Sequence, residues 1–169
     1  MTTAATDIDY FVHPRSIVRE IWGKAEVVLF IFAGAAAEFS LNKAVDWLYF
    51  TGNLPQDPIG RLFSTVGYAR KIIFFEKATA LNVIDKMGQV HRSVEKARGA
   101  SIPDWAYRDV LYMLICYSVS AFELIERKLS REEKEEVFRV FAAVGQRMGL
   151  KDLPRSYNKW LIARATQLH

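Results

Sequence analysis

A single cysteine, Cys116, stands in 169 residues. That excludes a disulfide framework within the chain and a cysteine-based zinc site. Cys116 lies in the apolar run Leu111 to Tyr117 and reads as a buried small hydrophobe. Long apolar runs are also missing. The longest uncharged one is Val27 to Ala37, eleven residues, against the roughly 20 that cross a bilayer. Charge of one sign is not in excess: the net charge is +4 and the pI about 9.2. Acidic and basic residues are mixed, as in Arg131 to Glu136. No Lys/Arg block with interleaved aromatics occurs, so nucleic-acid binding is not supported. The first eleven residues have neither a basic start nor an apolar run of the secretory kind. The expectation is a soluble, cytoplasmic protein without a transmembrane segment. No P-loop, GxSxG, dinucleotide fingerprint or HExxH is found. No stretch alternates with period two long enough to be a strand.

What is present is apolar and aromatic. Apolar residues make up 51% and aromatics 13%, enough for one large core or for lining a pocket. The expected organisation is a flexible lead over residues 1–12 and a single helical domain over 13–169. It is all-α and compact, with about seven helices. His13-Pro14 marks the boundary, and a short helix follows to about Trp22. Ala25 to Tyr49 reads as one long, largely buried helix, because VVLFIFAGAAA is apolar all round. Asp57-Pro58 reads as N-cap and first helical residue, opening a helix to about Phe75. Further helices are expected over Lys77–Ala97, Pro103–Lys128, Ser130–Met148 and Pro154–Leu168. The helix over Ser130–Met148 carries the capping-box pair Ser130/Glu133 and ends at Gly149.

The candidate site residues come from the helices around Asp57–Val94. Arg61, Thr65, Tyr68 and Ile72 share one helical face. Arg61 there has apolar neighbours and calls for an anionic partner, either a ligand or a carboxylate from another helix. On the next helix Ile84, Met87, Gly88, His91 and Val94 fall on one side. Gly88, a turn before His91, leaves room for something broad. His91 is either a satisfied core histidine or a ligand. The histidines number three, too few and too scattered for a transition-metal site built from protein donors alone. A single axial histidine with a porphyrin is the metal option left. His91 and Glu95 stand four apart, but no second such pair completes a di-iron pattern. Glu38, Asn42 and Asp46, also spaced by four, would share a face, either a polar cavity wall or a solvated stripe.

The order of these features resembles the latex-clearing (rubber) oxygenase family, which includes an endoplasmic-reticulum-bound fungal oxygenase of mycophenolic acid synthesis. The resemblance runs from about Ser16 to Pro154. It rests on S16-IVREIWG, D57-PIGRLFSTVGY, V90-HRSV, the apolar helix from Val110, and S130-REEKEEVF with M148-GLKDLP. Arg61-x-x-x-Thr65, followed 26 residues later by His91, is its most diagnostic part. The resemblance implies a globin-like helical fold and a b-type haem with His91 as proximal iron ligand. Arg61, Thr65 and Gly88 would lie at the haem. It further implies an oxidoreductase that activates dioxygen on a hydrophobic, isoprenoid-like or unsaturated substrate. Glu38 is the candidate base among catalytic residues Arg61, Thr65 and Glu38. Two family histidines are replaced, by Asn42 and by Leu114. Two alternatives therefore stand beside the oxygenase: a non-catalytic haem or small-ligand binder, such as a carrier or gas sensor, and a cofactor-free helical interaction module. Homo-oligomerisation is left open.

Overall fold

The computed structural model describes residues 8–50 and 57–167, together with the backbone but not the side chains of 48, 49, 58, 59, 61 and 62. Eight helices and no strand occur among the described residues. They are α1 (Ile17–Gly23), α2 (Ala25–Ser40), α3 (Val45–Phe50), α4 (Pro58–Phe74), α5 (Lys77–Arg98), α6 (Asp104–Ile125), α7 (Arg131–Arg147) and α8 (Tyr157–Gln167). Local chemistry sets most of the ends. Asp57 accepts the Gly60 N–H at 2.8 Å, with Pro58 in the first turn of α4. Ser130 and Glu133 close a capping box on α7: Ser130 Oγ accepts Glu133 N–H at 3.2 Å and Glu133 accepts Ser130 N–H at 2.7 Å. Gly99 ends α5 at φ +68°, a left-handed position that favours glycine.

The expected single helix over Ala25–Tyr49 is broken in two. Ser40 Oγ donates to the Ala37 carbonyl at 2.7 Å, and Asn42 Oδ1 accepts the Ala44 N–H at 2.7 Å. These short side chains offer the backbone an alternative to the helical ladder, and α2 stops at Ser40. Nor is α2 largely buried. Of its residues only Val27 and Ile31 are buried, while Leu29 is 62% and Phe30 52% exposed. It packs on α6 and α1 along one side, so an all-apolar helix still presents a bare face. The lead expected to be flexible is docked from residue 8 onward. Asp9 accepts the Lys77 N–H at 2.9 Å, Tyr10 bridges Glu76, and Val12 is buried.

The core gathers α1, α2, α6 and α7 around Trp22, with Trp160 of α8 closing one side. Trp22 donates its indole N–H to Ser118 Oγ at 3.1 Å and meets Phe32 edge-on at 6.0 Å. Burying a Trp without such an acceptor would be costly. The small residues of α2 serve helix packing at Gly34. A Cβ there would meet the Tyr117 ring at 2.4 Å, so the missing side chain lets α6 approach. Gly34→Ala is expected to lower stability by about 1–2 kcal/mol, the overpacking cost less the helix propensity gained. A denaturation midpoint equal to or above that of the unchanged protein would contradict this.

Candidate cofactor site

α4 and α5 form an antiparallel pair and carry the residues singled out above. Asp57 and Pro58 start α4, and a spacing of three residues puts Thr65 and Tyr68 on one face. Thr65 is exposed and Tyr68 lines a cleft of about 760 Å³. The same cleft is bounded by Phe50 of α3 and by Lys86, Val90 and Val94 of α5. Three large apolar side chains, Phe50, Tyr68 and Val90, stay exposed around it. Its size is in the range of small-molecule sites. The Arg61 backbone belongs to α4, and its side chain is outside the described residues.

His91 is half-buried on α5, between the cleft residues Val90 and Val94. Its ring does not line the cleft. It lies on the neighbouring face of α5, edge-on to Tyr107 of α6, with centroids 5.2 Å apart and planes at 77°. Burial, and then the charge of Glu95, push the Tyr107 hydroxyl up to about 12. Glu95 also accepts the Ile102 N–H at 2.8 Å. The room expected over Gly88 is taken by its own helix: a Cβ there would lie 3.2 Å from the Arg92 guanidinium, the movable end of a long side chain.

The expected polar stripe of Glu38, Asn42 and Asp46 is divided by the end of α2. Glu38 meets Arg164 of α8 in an ion pair and accepts the Tyr117 hydroxyl at 3.1 Å. Arg164 is only 6% exposed. Burial draws its guanidinium pKa down, but the Glu38 hydrogen bond and charge outweigh that and raise it. Tyr117 is raised as well, by burial and by donating to Glu38. Asn42 instead donates to Asp109 at 2.7 Å. Asp46 is exposed, and its carbonyl accepts from Arg98.

The donor chemistry separates two kinds of metal group. Among the described residues no three His, Cys, Asp or Glu side chains converge, so no bare ion finds a ligand set. A haem brings its own nitrogen donors and asks the protein for one axial imidazole. By donor chemistry the half-buried His91 answers that demand, while its ring, turned to Tyr107, stands apart from the cleft that Lys86 edges.

Residues 20–160 match the family described as ER-bound oxygenase mpaB/B'/Rubber oxygenase, catalytic domain. The chain belongs to this family. No curated protein and no solved structure matches it. In this member of the rubber oxygenase family the matched span covers α2 through α7 entire and the first residues of α8. No described helix is long and apolar enough to cross a membrane. Membership carries oxygenase activity toward a hydrophobic substrate as the family's general character. Sequence reasoning missed Arg164, Tyr117 and Tyr107. Nothing local marks them, because each acts on a residue of another helix.

Proposed function

We propose that this domain is a b-type haem oxygenase acting with dioxygen on a hydrophobic, isoprenoid-like or unsaturated small molecule. Family membership over residues 20–160 carries the reading. His91 would hold the haem iron through an imidazole nitrogen. Haem, when bound, supplies dioxygen binding and activation. Arg61 pairs with a haem carboxylate and Thr65 hydrogen-bonds beside it. Gly88 lets the flat group approach α5, with the Arg92 side chain moving aside. In the cleft beside α4 and α5, Phe50, Tyr68, Val90 and Val94 offer apolar surface to a greasy molecule. Glu38 is proposed as the proton acceptor, its carboxylate oriented by Tyr117 and Arg164.

The second reading, a haem or small-ligand binder without turnover, is favoured by the two replaced family histidines. Asn42 has a structural partner in Asp109, and Leu114 packs against the core. An absorption spectrum of the protein as expressed, repeated after haem addition, tests what both readings share. A Soret band is expected, and its absence in both samples overturns them. Product beyond one equivalent per haem, with oxygen and an unsaturated isoprenoid, then selects the oxygenase. None beyond that selects the binder.

A further inference from the structure

We propose that Tyr107 is the positioning residue for the His91 imidazole and that Glu95, by holding the segment that leads into α6, sets where Tyr107 stands. The consequence for haem rests on the axial assignment of His91 made above. The premise rests on packing alone. His91 and Glu95 are four apart on α5, so they stand one above the other on one face. In isolation that spacing looks like half of a carboxylate–histidine metal pair. The fold gives Glu95 a different use. Its carboxylate accepts the Ile102 N–H at 2.8 Å, tying the segment that leads into α6 back onto α5. One turn into α6 stands Tyr107. The Tyr107 ring then stands edge-on to the imidazole at 5.2 Å and 77°.

An imidazole has a broad, roughly two-fold second torsion, so the helix alone leaves its plane undecided. An aromatic ring fixed at a steep angle on one side narrows that choice. For an axial ligand the ring plane matters, because it sets how the nitrogen lone pair and the ring π system meet the iron. Partners that orient a metal-binding histidine commonly act in this outer position. Tyr107 needs no contact with cofactor or substrate to do so.

Two variants of the full chain separate the Tyr107 ring from its hydroxyl. Tyr107→Leu keeps bulk but removes the ring; Tyr107→Phe keeps the ring but removes the hydroxyl. Haem affinity is measured by titration, and electron paramagnetic resonance of the ferric form reads the imidazole plane. Proton NMR of the His91 ring without haem reads its order. Tyr107→Leu is expected to weaken haem about tenfold, to broaden the resonance anisotropy, and to erase the ring-current shift of His91. Tyr107→Phe is expected to fall between the two. Unchanged affinity, resonance and His91 signals in Tyr107→Leu would overturn the proposal. If the unsubstituted protein takes up no haem, the axial assignment falls, and the His91 NMR signals alone decide the positioning. Loss of their shift in Tyr107→Leu supports it, and an unaltered shift overturns it.

Discussion

His91→Ala is expected to lower haem affinity by more than about a hundredfold. Losing an outer partner of a metal-bound histidine costs about ten- to a hundredfold, and losing the ligand itself must exceed that. Among the described residues, two alternative donors are poorly placed. His13 is exposed, with its Nδ1 accepting the Arg15 N–H at 3.2 Å at the start of the described core. Cys116, expected to be buried, is half-buried in α6, packed against the core rather than placed on α5. His13→Ala is therefore the matched control, expected to leave uptake unchanged. Haem titration of both variants, with circular dichroism to confirm the helices, checks this. Unaltered uptake by His91→Ala would remove His91 from the site while leaving family membership intact.

Glu38→Gln is expected to be the most destabilising single polar change, by about 3 kcal/mol. Breaking a buried ion pair leaves an uncompensated charge and costs about 3–5 kcal/mol. The Arg164 side chain is 8% exposed and that of Glu38 is 19%, so partial hydration of the pair favours the lower figure. Asymmetry is the sharper prediction. In Glu38→Gln the guanidinium stays buried, and its Nε already has no hydrogen-bond partner among the described residues. Replacing both partners, as Glu38→Leu with Arg164→Met, removes the stranded charge. Only the Tyr117 hydroxyl then loses its acceptor. The double variant is expected to be more stable than Glu38→Gln in urea denaturation. A double variant equal to the sum of the two single ones would show that the pair does not couple. If Glu38 also handles protons, Glu38→Gln loses turnover under conditions where it is still folded and still takes up haem.

The same residues show how far the chain can be read without its fold. The helices of residues 57–167 follow from nearest-neighbour chemistry: the Asp57-Pro58 start, the Ser130/Glu133 box, Gly99 and Gly149 at the ends. These signals act within a turn and need no partner. The break after Ser40 belongs to the same class, yet the apolar run before it reads as a continuous helix. There the side-chain hydrogen bonds of Ser40 and Asn42 compete with the helical ladder, and Asn42 is also held by Asp109 of α6.

The order of several segments, with Arg-x-x-x-Thr and His-x-x-Val the most diagnostic, pointed to the family that the match over residues 20–160 shows, because order along a chain survives without knowledge of what touches what. They also determined that His91 and Glu95 share a face, since that follows from the helical period. Only the tertiary structure decided what that face meets. Tyr107 reaches His91 from α6, and Arg164 reaches Glu38 across 126 residues of chain. The bare side of α2, with Leu29 and Phe30 exposed, is likewise a tertiary result. Periodicity tells which side chains share a face; which faces find a partner depends on how the helices pack.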